Sequence, residues 1–384
     1  MAASRVIVVG GGVMGSSAAW HLAARGHQVV LLEQFQPGHD RGSSYGSSRI
    51  FRLAYTDPFY VELAARALPR WRRLEEETGA AVLTLNGAVD HGPAQAVRAV
   101  EDTLRAAGRP VQPLSPAQVA ERWPGLRADT AALFHPEAGR LHADRAVAAF
   151  QAAARQHGAL IRHGVRVARV TARGSGAEVV TAEQEAITAD AVVVAAGGWA
   201  ARFAAPGSRA LPALRVTAEQ PAHFPAADAL DWPSFIHHGG AGLPEGPGVY
   251  GLGSADGVKV GFHGIGPVVD PERAEREIDP AVLRALREYA ERWLPGVDHA
   301  HPTTRTCLYT TTPDHDFVID RSGPCTVLAG FSGHGFKFAS VVGELAADLV
   351  AGRPGPERFA RTRFRAARLP PGNVTGRRAN RPTT

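Results

Sequence analysis

At 384 residues the chain is longer than one core will support. Single cores stop growing near roughly 250–300 residues, so two domains are expected. With 45% hydrophobic and 21% charged residues, it has the balance of a globular, soluble protein. Much of the net charge of +5 lies late in the chain, at Arg358, Arg361, Arg363, Arg365, Arg368, Arg377, Arg378 and Arg381, not on one core element, which argues against a nucleic-acid partner.

In chain order, Arg5–Val9 is a short apolar run that ends at Gly10. A helical pattern follows from about Met14 to Arg25 and closes on Gly26, as a C′ glycine should. Val29–Leu32 is a second apolar run, ending in Glu33, so the first 33 residues predict a β-α-β unit. The Gly- and Ser-rich segment Gln36–Arg52 reads as a loop. Apolar spacing predicts helices over Asp57–Thr78 and Gly92–Ala107. Ser115-Pro116 pairs an N-cap with a proline at N1 and opens a helix to Arg122. A further helix spans Asp144–His157, with Asp144 as its expected cap. Val165–Val170 and Glu178–Thr181 read as strands, and the almost purely apolar Asp190–Ala196 as one buried on both faces. From Arg215 to His263 short strands alternate with Gly and Pro. Pro280–Trp293 is a helix, and Arg305–Tyr309, Phe317–Ile319 and Thr326–Ala329 are strands. Gly335–Val350 is the closing helix.

No apolar run reaches the roughly 18 residues of a membrane span. The opening residues lack the apolar stretch and cleavage site of a signal peptide, so a cytoplasmic location is expected. The two cysteines, Cys307 and Cys325, make no disulfide framework, and no Cys/His spacing reads as a metal site.

Gly10-x-Gly12-x-x-Gly15 follows a strand and opens a helix. The first glycine permits the tight turn, the second lets backbone approach a pyrophosphate, and the third lets helix and strand pack closely. The helix N-terminus then offers free N–H groups and partial positive charge to phosphates. Glu33, 23 residues after Gly10, ends the second strand, where a carboxylate accepts from ribose hydroxyls. Strand, helix, second strand and acid in this order predict a dinucleotide site, without choosing between NAD and FAD.

Four further segments carry a resemblance. They are Gly42-Ser43-Ser44-Tyr45-Gly46-Ser47-Ser48-Arg49-Ile50-Phe51-Arg52, Gly257-Val258-Lys259-Val260-Gly261-Phe262-His263, Thr306-Cys307-Leu308-Tyr309-Thr310 and Gly330-Phe331-Ser332-Gly333-His334-Gly335-Phe336-Lys337. With the N-terminal loop they resemble, in kind and in order, the monomeric sarcosine oxidase and N-methyltryptophan oxidase family of flavoenzymes. The resemblance implies an α/β plus α+β architecture, with a Rossmann-type FAD-binding domain interleaved with a substrate domain on a mixed or antiparallel sheet. The expected FAD half takes residues 1–84, 141–212 and 322–370. The substrate half takes 85–140 and 213–321, and 371–384 form a disordered tail.

The resemblance further implies that FAD is the cofactor, joined through its 8-methyl carbon to Cys307, with Cys325 structural. Gly10, Gly12, Met14, Gly15, Glu33, Ser43, Ser48, Val167, Gly333, Gly335, Phe336 and Lys337 would contact it. Arg52 and Lys337 resemble the pair that holds a substrate carboxylate, the Arg as a fork and the Lys as a point charge. Arg49 would lie beside the flavin, Lys259 resembles the lysine that activates O2, and His263 resembles the histidine near the substrate amine. Tyr250 and Tyr45 would line the substrate pocket. Lys259 and Lys337 are the only lysines in a chain whose other cationic side chains are arginines, so lysine stands at both positions where a compact ammonium is wanted.

Tyr45 stands where a histidine is usual, Ser48 where a threonine is usual, and Leu252–Asp256 lacks the familiar aromatic. The expected activity is oxidation of a secondary amine on an N-alkyl amino acid, giving an imine and H2O2, by a monomer that needs no metal. One alternative is an oxidase of cyclic imino acids of the pipecolate or piperideine-carboxylate type. Others of a different class are a dehydrogenase subunit that hands electrons to a partner, and a non-enzymatic flavin- or NAD-binding module.

Overall fold

The structure is a computed structural model, and it describes residues 3–203, 210–239, 248–273 and 277–366. The tail expected to be disordered lies outside the described residues.

A six-stranded sheet forms the first core. Its order is Val318–Ser322, Cys325–Ala329, Ala191–Val194, Arg5–Val9, Gln28–Glu33 and Leu160–His163. All neighbours are parallel except the first pair. All four residues of Ala191–Val194 are buried, as are Val6 to Val9. Strands covered on both faces have no reason to alternate polar with apolar, which is why these runs are continuously aliphatic.

Helix Val13–Ala23 lies against this sheet and is buried along its whole length. It packs against helices Ala339–Val350 and Ala143–Gln156. The approach to Ala339–Val350 is at backbone distance: a Cβ on Gly343 would stand 2.2 Å from Ser17 Oγ and 2.6 Å from the Ser17 carbonyl. Helix Pro58–Thr78 is capped by Asp57, whose side chain accepts from Phe59 N, and stops on left-handed Gly79.

The second core is built on an eight-stranded sheet. Its order is Thr303–Thr304, Ala222–Phe224, Gly257–Phe262, Val249–Ser254, Ser234–His237, Ala88–His91, Ala132–His135 and Gln112–Leu114. Every pairing is antiparallel except Ser234–His237 with Ala88–His91. Helix Pro280–Trp293 packs Leu286, Tyr289, Ala290 and Trp293 into the core on this sheet. A separate antiparallel ladder joins Arg215–Glu219 to Cys307–Thr311. Among the described residues, no helix is long and apolar enough to cross a membrane.

The structure departs from the sequence reading locally. The expected loop Gln36–Arg52 ends in a strand, Arg49–Phe51, paired with Gly139–Leu141. Phe51 is fully buried there, and one buried aromatic in a three-residue strand is too short a pattern to stand out. The helix expected to start at Asp144 is capped instead by His142, whose ring nitrogen accepts from Arg145 N. Asp144 turns outward and accepts from Gly46 N at 2.8 Å. The closing helix begins at Ala339, after a 3-10 turn over Phe336–Phe338. Cys325 opens a strand and is buried.

Gly343→Ala is expected to destabilise the fold. Alanine favours a helix over glycine by about 1 kcal/mol, but overpacking against fixed backbone costs about 1–3 kcal/mol, and the Ser17 carbonyl cannot rotate away. A lower urea midpoint is the expected result; an unchanged or higher midpoint would show that the two helices separate at little cost.

Candidate active site

One long cleft begins over Gly10–Met14, passes Glu33, Val167 and Ala195, and ends among Ser43, Arg49, Cys307, Tyr309, Gly333, Gly335 and Phe336. At its start the backbone leaves no room for side chains. Gly10 has φ +102, and a Cβ there would lie 2.4 Å from the Ala195 carbonyl oxygen. A Cβ on Gly15 would lie 1.9 Å from the Gly10 carbonyl oxygen. The N-cap Gly12 contributes no side-chain cap, and the first turn holds no acidic residue. The positive end of the helix therefore faces the cleft without a carboxylate of its own. Glu33 is buried and accepts from Gly11 N at 2.6 Å and from Phe35 N at 2.9 Å, which fixes its carboxylate at the cleft wall. This cradle fits the pyrophosphate and ribose of a dinucleotide such as FAD. Gly15, Ser48 and Lys337 do not line the cleft; Ser48 Oγ is buried and has no hydrogen-bond partner among the described residues. Ser44 Oγ accepts from Val13 N at 3.1 Å, in the first turn of the helix.

The far end of the cleft is built on the strand Cys307–Thr311. Alternation puts Cys307 and Tyr309 on one face, while Leu308 points to the other and is buried. Ser43 Oγ donates to the Leu308 carbonyl at 2.7 Å and ties the Gly- and Ser-rich segment to this strand. The Tyr45 hydroxyl donates to the Thr306 carbonyl. Arg49 donates to the carbonyls of Ser48 (2.7 Å), Tyr45 (2.8 Å) and Ser43 (2.9 Å), and Nη2 stands 3.7 Å from Cys307 Sγ. Three carbonyl acceptors fix a cation beside the sulfur.

Lys259 adds a second cation. It is buried and lines a small cavity with Tyr45, Ser48, Arg49, His223, Asp256 and Cys307. Burial, then the charge of Arg49, pushes its ammonium down to about 7, against the opposing pull of Cys307 and Asp256. Burial and Lys259 together push His223 down to about 4.

A third group lies past Phe336. Lys337 Nζ donates to the Tyr55 hydroxyl at 2.9 Å and to the His334 carbonyl at 2.8 Å. Burial, then Arg52, holds it well below the usual lysine range. The Arg52 guanidinium lies 5.1 Å from the centre of the same Tyr55 ring and 3.4 Å from Asp90 Oδ1. His263 Nδ1 faces the Tyr309 hydroxyl at 3.4 Å; burial, then Lys337 and Arg52, pushes this histidine down to about 4. Tyr250 packs over Gly261, where a Cβ would meet its hydroxyl at 2.6 Å, and burial raises its phenol above the usual range. Tyr309 presses on Gly333 so closely that a Cβ there would lie 2.2 Å from the ring. Sequence reasoning missed Tyr55 and Asp90. Tyr55 carries only the hint that it follows Arg52 by three residues, and Asp90 carries none.

The structure thus brings Arg49, Cys307 and Lys259 together at the end of the cleft, and Arg52, Lys337 and Tyr55 together beyond it, with Tyr309 and His263 adjoining. The basic side chains Arg49, Arg52, Lys259 and Lys337 outnumber the acids Asp90 and Asp256 in these groups, and a bound anion would favour the charged forms of the two buried lysines.

The model of the family described as FAD dependent oxidoreductase (DAO) matches residues 5–349. A monomeric sarcosine oxidase of Streptomyces avermitilis is 36% identical, over 90% of this chain and 93% of its own. An N-methyl-L-tryptophan oxidase of Yersinia pestis is 30% identical, over 94% of this chain and 99% of its own. Among solved structures, NikD, described as an unusual amino acid oxidase essential for nikkomycin biosynthesis, superposes with a TM-score of 0.81 at 24% identity, over 94% of this chain and 98% of that one. The L-proline dehydrogenase of P. horikoshii gives 0.80 at 24% identity, over 95% and 98%. These two share the fold. A glycine cradle closed to side chains, a fixed acid at the second strand and a family match across nearly the whole fold agree, and the chain belongs to the FAD-dependent oxidoreductases of the DAO family.

Proposed function

We propose that the protein oxidises a secondary amine on an N-alkyl amino acid, of the sarcosine or N-methyl type, to an imine, with O2 as the electron acceptor and H2O2 as the second product. The observation that carries the reading is the pair Arg52 and Lys337, two cations on one tyrosine beyond the end of the cofactor cleft. The curated relatives named for sarcosine and N-methyl-L-tryptophan act on amines that carry a carboxylate, in keeping with such a pair.

Bound FAD supplies the two-electron acceptor, and the organic chemistry is the cofactor's. The protein's part is to bind, orient and set charge. A substrate carboxylate bridging Arg52 and Lys337 would favour the charged form of Lys337, because an opposite charge offsets its desolvation. His263, pushed down to about 4, is neutral at pH 7, so its ring can accept a hydrogen bond from the substrate nitrogen; the amine gives up hydride only in its neutral form. Tyr309 and Tyr250 would line the substrate pocket in this reading. Fixing the carboxylate aligns the C–H next to nitrogen with the cleft, and orientation of this kind is worth several kcal/mol.

The same reading gives Lys259 and Arg49 the oxygen step. The first electron passed to O2 creates negative charge, and fixed cations in a dry site stabilise it far more than water-exposed ones would. Negative charge arriving beside Lys259 opposes the burial that lowers its pKa and keeps it protonated. Cys307 is the point where we place covalent attachment of the flavin. The residues 1–84, 141–212 and 322–370 would then serve the cofactor, and 85–140 and 213–321 the substrate.

The reading is tested by H2O2 release from a panel of sarcosine, N-methyl-L-amino acids, L-pipecolate and L-proline, with the matching carboxylate-free amines as controls. Release with N-methyl amino acids and none with the carboxylate-free amines is expected. Turnover confined to the cyclic members moves the assignment to a cyclic imino-acid oxidase. Reduction of the flavin without H2O2 points to a dehydrogenase.

In Lys259→Met, reoxidation by O2 is expected to slow at least 100-fold, while anaerobic reduction by substrate changes less than tenfold. Equal slowing of both half-reactions, followed by stopped-flow absorbance, removes the oxygen role. In Cys307→Ala, acid precipitation is expected to leave the flavin in the supernatant, whereas wild type carries it into the pellet. Yellow supernatant from wild type overturns the covalent assignment.

A further inference from the structure

Behind Arg52 lies an acid that the proposed chemistry does not use. Asp90 is on the strand Ala88–His91 and is completely buried. The neighbouring strands bring a histidine to it from either side. His135 ends the strand antiparallel to it, and His238 follows directly on the strand parallel to it. His135 Nε2 stands 3.0 Å from Asp90 Oδ2, and His238 Nε2 stands 2.7 Å from Oδ1. A carboxylate only accepts, so both imidazoles donate to it. The third partner is Arg52, whose Nη1 stands 3.4 Å from Oδ1. Burial by itself would raise this acid's pKa. The bonds from His135 and His238 and the charge of Arg52 outweigh it and hold the carboxyl well below the usual range, so Asp90 is ionised.

From Asp90 the contacts run on in one direction. Arg52 lies over Tyr55, and the Tyr55 hydroxyl receives Lys337 Nζ. Arginine has five donors, and Asp90 engages one nitrogen of its fork. We propose that Asp90, braced by His135 and His238, is a positioning residue that fixes Arg52 by one corner against Tyr55 and leaves the rest of the guanidinium presented to the substrate carboxylate. This rests on the reading of Arg52 and Lys337 as the carboxylate site. It has a physical cost that makes it testable. A negative charge next to Arg52 weakens the pull on an incoming carboxylate. If charge alone mattered, removing Asp90 would tighten binding. If orientation matters more, removing it weakens binding.

The test is Asp90→Asn in the flavin-loaded enzyme, with sarcosine and L-pipecolate as substrates and a crystal structure of the variant. The expected result is a KM raised at least tenfold with kcat within threefold of wild type, and a guanidinium that has left the Tyr55 face. A lower or unchanged KM with Arg52 in place overturns the proposal, as does an equal loss in kcat and KM with Arg52 unmoved. His238→Leu, at the more open side of the acid, serves if Asp90→Asn does not fold; it is expected to raise KM two- to fivefold, and an unchanged KM there also overturns the proposal. Arg52→Gln separates the two layers. If it leaves KM untouched while Asp90→Asn displaces Arg52, the carboxylate reading fails and the positioning stands. If it raises KM and Asp90→Asn does not, the positioning fails and the carboxylate reading stands.

Discussion

The backbone contact between Gly10, Gly15 and Ala195 holds the rest in place. With no Cβ at Gly10 or Gly15, the start of the first helix closes onto the first strand and its parallel neighbour. Add a methyl group at either position and the helix must lift. Its end would then turn away from the cleft, and Gly11 N would lose the Glu33 carboxylate that it meets at 2.6 Å. The helix is also the one against which Ala339–Val350 packs, with Gly343 as the matching gap on the other side. That second helix follows the turn carrying Lys337, and the Lys337 carbonyl accepts from the Trp71 indole at 2.8 Å. A contact at the glycine end of the cleft is thereby passed, through two helices, to Lys337 beyond its other end.

The cations follow a consistent logic. Arg49 is satisfied by three main-chain carbonyls, and Lys337 by a hydroxyl and a carbonyl. Neutral acceptors hold both side chains in place; the charge of Arg49 is kept, and that of Lys337 is left to burial and to what binds. Arg52 is the exception, because Asp90 takes part of its charge. Lysine has a movable pKa and arginine does not. Burial lowers the pKa of both lysines, so their charge can respond to what binds, while the arginines keep theirs.

Much of this was legible in the chain, and the limit has a physical form. The dinucleotide cradle is local: Gly10 to Glu33 spans one β-α-β unit, and each glycine has a steric reason that its spacing reveals. Helix Pro280–Trp293 has the bounds expected from the sequence, and in the structure the Asp279 side chain caps it by accepting from Ala281 N, with Pro280 in the first turn. The cap at His142 was not legible, since histidine is a rare capping residue and Asp144 offered a better-known one two positions on. Nor was the brace behind Arg52. Asp90 and His135 are 45 residues apart, and Asp90 and His238 are 148 apart. Only the pairing of three strands in one sheet brings them together, and no spacing in the chain encodes strand order. Tyr55 joins Arg52 to Lys337 by the same kind of long-range accident of topology, 282 residues from Lys337.

The scarcity of lysine has a practical side. The chain's two lysines are 7% and 6% exposed, so no lysine amine is on the surface. Acylating dyes, amine-reactive crosslinkers and biotin esters will find almost nothing to attack on the folded protein, and a lysine-specific protease will find no accessible cut site. A single lysine introduced at any chosen surface position would therefore be a near-unique handle, for immobilising the protein on an electrode or tethering it to a carrier in one defined orientation.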